Sequence, residues 1–196
     1  MEQKILHEGE LHLGGTVIPC YILEDGTRVI SGRGMQDALH MVDADDENKP
    51  TSGARLNRYL NQKSLEPFIN KGREPGHFEP IVCYRGEQRI NGYEATVLAD
   101  ICEAFLEARN KIKLSHRQSI IADQCEILIR GFARIGIVAL IDEATGYQYQ
   151  RERDELQKIL TAYVSDEILK WQLTFTDDFY KQVHRLWKLP YIPKYI

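Results

Sequence analysis

Two apolar stripes at helical spacing constrain this chain more than anything else in it. Val97, Ile101, Phe105, Ala108 and Ile112 form the first, and Ile121, Cys125, Leu128 and Phe132 the second. Each stripe covers one side of a predicted amphipathic helix, which is unstable until that side is buried. Between them Ser115-His116-Arg117-Gln118 has the form of a capping box, which sets where the second helix begins. Two long helices joined so briefly must run antiparallel and bury their stripes against each other.

The helical pattern continues. Gly136-Ile137-Val138-Ala139-Leu140-Ile141 is an apolar run that stops at Asp142-Glu143, followed by Ala144-Thr145-Gly146-Tyr147-Gln148 and a charged helix from Gln150 to Val164. Leu156, Ile159, Leu160, Tyr163 and Val164 give that third helix its apolar side. Thr176-Asp177-Asp178 reads as the cap and acidic first turn of a last helix bearing Phe179, Val183 and Trp187. The aromatic tail from Pro190 has no stop pattern, and the natural protein is expected to continue past it.

Before residue 96 the periods are short. Val17 to Leu23 is β-rich, Glu24-Asp25-Gly26 is a turn, and Thr27 to Ile30 returns as a strand. A short helix is expected from about Gly34 to Met41, then an acidic loop of Asp43, Asp45, Asp46 and Glu47 ending at Pro50. Lys71-Gly72-Arg73-Glu74-Pro75-Gly76 is the clearest break, and a second hairpin spans Ile81 to Ile90. The expected class is α+β, with a small N-terminal strand and short-helix portion (1–75) and a predominantly helical portion with the hairpin (76–196).

Composition sets the function classes. Net charge is −4, which excludes a uniformly basic nucleic-acid coat but not a local patch. No apolar run approaches the length of a membrane span and no leader peptide is recognisable, so a cytoplasmic protein without membrane contact is expected. The four cysteines, Cys20, Cys83, Cys102 and Cys125, are far apart and fit reduced, mostly buried thiols.

Catalytic chemistry finds little purchase. Asp142 and Glu143 are the best acid candidates, yet as sequence neighbours they point apart. A metal-dependent nuclease centred on them needs further carboxylates and a lysine at recognisable spacing, and none is present. The preferred reading is a helix boundary, with the carboxylates capping or pairing with Arg130, Arg134 or Arg151. The six histidines form no ligand pattern, and no serine or cysteine sits in a nucleophile elbow. Gly32-Arg33-Gly34 has the look of an anion-binding helix start, but a tight strand-to-helix turn explains it as well. Neither a catalytic residue, a metal site nor a cofactor is assigned.

The better lead is basic. Between Lys49 and Arg73, Lys49, Arg55, Arg58, Lys63, Lys71 and Arg73 are opposed only by Glu66. Arg55, Arg58 and Gln62 share one face of a predicted helix whose other face carries Leu56 and Leu60. Cations on a rigid element suit phosphate contacts, and Arg55, Arg58, Gln62, Lys63 and Arg73 are the expected nucleic-acid-binding residues. The competing reading is a solvated helix face balanced by the acidic loop.

With these residues in view, the chain resembles the prophage-associated P-sixty-three-C domain family, found with phage antirepressor-like proteins. Three stretches carry the resemblance: residues 114–122, residues 136–148 with Asp142-Glu143-Ala144-Thr145-Gly146-Tyr147-Gln148, and residues 175–189 around Asp177-Asp178-Phe179-Tyr180. The family resemblance implies a bacterial or phage regulatory protein and carries over no catalytic residue. The combined expectation is a non-enzymatic prophage-type regulator of transcription. Its N-terminal basic helix would contact DNA, and its helical part would assemble copies as a homo-oligomer or recruit a partner. The alternative is an antirepressor-like module that captures a repressor protein without touching DNA.

Overall fold

In the computed structural model, residues 3–13, 15–42 and 53–174 are described. The expected acidic loop and the expected last helix lie outside the described residues. Strands β1 (Gln3–Leu13), β2 (Thr16–Leu23) and β3 (Arg28–Ser31) lead into the short helices α1 (Gly32–Ala38), α2 (Ala54–Leu60) and α3 (Glu66–Ile69). The hairpin of β4 (Ile81–Arg85) and β5 (Gln88–Glu94) follows, then the long helices α4 (Thr96–Lys111), α5 (His116–Thr145) and α6 (Glu155–Thr174).

The five strands close into a barrel in the order β1-β2-β3-β5-β4, which corrects the expected small strand and short-helix portion. Two features hid the barrel. Gln3–Leu13 carries Lys, His and Glu through its length and lacks an apolar run, yet it pairs with β2 from Ile5↔Leu23 to Leu13↔Thr16. The β4–β5 hairpin, grouped with the helices on sequence grounds, supplies the closing pairs. Val29 pairs with Glu94 on the β3 side, and Gln3 pairs in parallel with Cys83 on the β1 side. A closed barrel leaves no free edge strand. The fit is tight at Gly92, where a Cβ would lie 2.1 Å from Val29 Cγ1.

The helical portion follows the sequence expectation. Val97, Ile101, Phe105 and Ala108 of α4 are buried with Ile121, Cys125 and Leu128 of α5. The capping box is formed: Gln118 N donates to Ser115 Oγ at 3.3 Å, and Ser115 N donates to Gln118 Oε1 at 2.7 Å. The same core extends to Leu160 and Val164 of α6 and to Ile18, Ile30, Met35, Leu56 and Leu65, while Tyr21, Leu23, Val29 and Cys83 of the strands form a second cluster of their own. All four cysteines are free thiols, and burial pushes the Cys125 thiol up.

Residues 136–145 are the last turns of α5, a helix of 30 residues and about 45 Å. It ends at Gly146, whose φ of 74° is the left-handed C-cap that glycine adopts without strain. Asp142 is buried and accepts from Arg151 Nη1 at 2.7 Å, while Glu143 is exposed. An acidic side chain near a helix C-terminus is disfavoured by the dipole, and Arg151 offsets that cost while pinning the turn into α6. Gly32 and Gly34 make a packed strand-to-helix turn: a Cβ on Gly34 would meet Ile18 Cγ2 at 2.6 Å, and Ser31 caps α1 by accepting from Gly34 N at 3.0 Å.

Candidate nucleic-acid interface

Helix α2 buries Leu56 and Leu60, and this fixes where its other side chains go. Arg58 is fully on the outside and Arg55 is half-buried. Gln62 and Lys63 lie in the turn between α2 and α3, both exposed. Among the described residues neither Arg58 nor Lys63 has a hydrogen-bond or ion-pair partner. Glu66, the one carboxylate of the segment, lines a cleft on the other side of α2.

The turn is fastened to the start of α5. Gln118 Nε2 donates to Gln62 Oε1 at 3.1 Å and to Ser64 Oγ at 3.4 Å, and Gln118 itself is buried. Lys63 lies between those two anchor residues, and Arg117 is the neighbour of Gln118. Lys113 and His116 are exposed just before, in the α4–α5 connection and the first turn of α5. The turn that carries Lys63 is thus tied to the start of α5, the helix end that carries His116 and Arg117 and the positive end of its dipole, while Arg117 also acts on the half-buried His40. Sequence reasoning missed Lys113, His116 and Arg117 because nothing in spacing shows that residues 62–64 abut residue 118. The capping box was the available clue, since it placed residues 113–117 at a helix start.

Arg73 stands apart from the other four residues expected from sequence. Only 14% of its side chain is exposed. Its guanidinium donates to the Ile69 carbonyl, the Asp100 carbonyl and Asp100 Oδ1, each at 3.1 Å, and lies over the Phe78 ring. His77 Nε2 lies 2.7 Å from Asp100 Oδ2, so the loop after α3 is clamped onto α4 by Arg73 and His77 together. This arginine holds the fold rather than facing a partner.

The cleft between α2, α3 and that loop has a volume of about 620 Å³. Leu60, Ile69 and Phe78 form its apolar part, and Asn61, Asn70, Glu66, Glu74 and Glu79 its polar rim, with Arg73 and His77 also lining it. Among the described residues no hydroxyl, thiol or amine side chain lines it. Among the described residues no group of three His, Cys, Asp or Glu side chains could hold a metal ion. No described helix is long and apolar enough to cross a membrane.

Comparison with known families bears on the helical end of the chain. Residues 159–195 match the P-sixty-three-C domain. The match covers most of α6 and the segment beyond it, so the resembling stretch 175–189 falls within it, and stretches 114–122 and 136–148 lie outside it. This domain is prophage-associated. No curated protein and no solved structure matches the chain.

Proposed function

We propose that this chain is a non-enzymatic regulatory protein of prophage type that binds DNA through a composite basic surface. Arg58 and Lys63, with Arg55 and Gln62, supply one part of that surface, and Lys113, His116 and Arg117 supply the other. The observation that supports this reading is the Gln118 tie to Gln62 and Ser64, which fastens the turn carrying Lys63 to the helix start that follows Lys113. Such a surface suits phosphate contacts, which need fixed cations more than a basic chain overall. In this reading the helical half assembles copies or recruits a partner, and the protein works in the bacterial cytoplasm.

The test is fluorescence anisotropy with a labelled duplex of random sequence. Engagement of Arg58, Lys63, Lys113 and Arg117 gives a slope of log K against log salt of roughly −3 to −4. Binding that survives unchanged in an Arg55→Ala/Arg58→Ala double variant would count heavily against the proposal.

A second reading is favoured by the cleft. Its apolar floor and carboxylate and amide rim suit a basic segment of a repressor protein, captured without any DNA contact. A stable complex with such a protein, in a chain with no measurable DNA affinity, would move the function to that reading.

A further inference from the structure

The far end of α5 carries a face that the rest of the described fold leaves uncovered. Helix α4, at 16 residues, covers only the first half of α5. Beyond it α6 packs one side, with Leu160 and Tyr163 against Gly131. On the remaining side Ile137, Leu140 and Ile141 are 61%, 67% and 57% exposed. Ala133 and Ala144 are exposed on the same side, and a Cβ on Gly136 would meet nothing within 4 Å.

The positions Ala133, Ile137, Leu140 and Ala144 follow steps of four, three and four, which is the spacing of a coiled-coil seam. The order is also self-complementary. Reversed about its midpoint, Ala133 meets Ala144 and Ile137 meets Leu140, so small layers flank two large ones. Charge selects the direction. The uncharged run 136–141 is bounded on one side by Arg130, which also donates to Glu126, and Arg134, which lies over the Tyr163 ring of α6, and on the other by Glu143. An antiparallel pair sets the basic end of one helix at the level of the acidic end of the other, whereas a parallel pair sets like against like.

Area points the same way. The three aliphatic side chains leave on the order of 300 Å² uncovered, the size of an exposed apolar patch that marks an interaction site and part of the about 800 Å² per partner of a standard interface. We propose that this face docks against a second copy of the chain, forming a two-fold antiparallel pair of α5 tips centred between Val138 and Ala139. This gives the assembly part of the preceding function a surface and a geometry. It does not depend on DNA binding, so molecular mass tests the one and anisotropy the other.

The experiment is sedimentation velocity on the full chain from roughly 1 to 200 μM, a range that brackets micromolar dissociation. A mass rising to the dimer is expected. Ile137→Glu/Leu140→Glu should weaken the association at least about tenfold with unchanged circular dichroism. Ile137→Cys/Leu140→Cys should form an interchain disulfide under mild oxidation where the natural sequence does not. Three outcomes would each overturn the proposal: a monomer at every concentration, a dimer indifferent to the charged variants, or a monomer that Ile137→Glu/Leu140→Glu destabilises. The last would place a segment of the same chain on the stripe.

Discussion

Replacing Gln118 tests how the two parts of the basic surface are held together. Its side chain closes the capping box at the start of α5 and also donates to Gln62 and Ser64, 56 and 54 residues away. Ser115→Ala removes only the hydroxyl that accepts from Gln118 N, a cap loss of about 1 kcal/mol. Gln118→Ala removes the bond to Ser115 N and both long-range bonds. At about 0.5–1.5 kcal/mol net for each well-formed bond, with the longer Ser64 contact at the low end, the loss is about 2–3 kcal/mol. For a chain of this size that lowers Tm by roughly 4–10 °C. Urea unfolding of both variants measures the difference, and an unchanged dependence on urea shows that only stability moved. Equal losses in the two variants would refute the tie, because the capping box would then account for everything Gln118 contributes.

Three further outcomes follow from the packing and the charges. Gly92→Ala should destabilise by about 1–3 kcal/mol by driving a methyl into Val29, and Val29→Ala should recover part of the loss in thermal melts. Arg151→Met should cost about 1–3 kcal/mol by leaving the buried Asp142 carboxylate unpartnered, with much of it regained in Asp142→Asn/Arg151→Met; a double-mutant cycle measures the coupling. Burial, with Arg117 adding to it, holds the His40 imidazole below its ordinary 6.5. The unfolded chain therefore binds that proton more tightly, so stability should be full above pH 6.5 and decline as pH falls from there toward the lowered value. In His40→Asn this decline in the urea midpoint should flatten, the Asn tolerating the residue's φ of 51°.

What could be read from sequence follows the physics of local and distant contacts. The helix pair, the capping box and the helix end at Gly146 rest on residues at most four apart, and period and chemistry disclose these directly. The barrel rests on Gln3 meeting Cys83 and Val29 meeting Glu94, pairings across more than 60 residues that no local pattern encodes. Strand β1 was hidden further because a barrel face turned to solvent tolerates its Glu and His residues. The basic segment was visible as charge, but its members divide by direction. Leu56 and Leu60 turn Arg58 outward, while Asp100, distant in sequence, draws Arg73 inward. Lys113, His116 and Arg117 enter the proposed surface only through Gln118, whose partners no spacing could name.

If cations from two segments act on DNA as one surface, the salt dependence of binding carries their joint signature. Each lost phosphate contact should reduce the slope of log K against log salt by about 0.9. Lys63→Ala/Lys113→Ala, one change from each segment, should lower the slope by about 1.8 while the fold is retained. A slope unchanged from that of the natural sequence would contradict it.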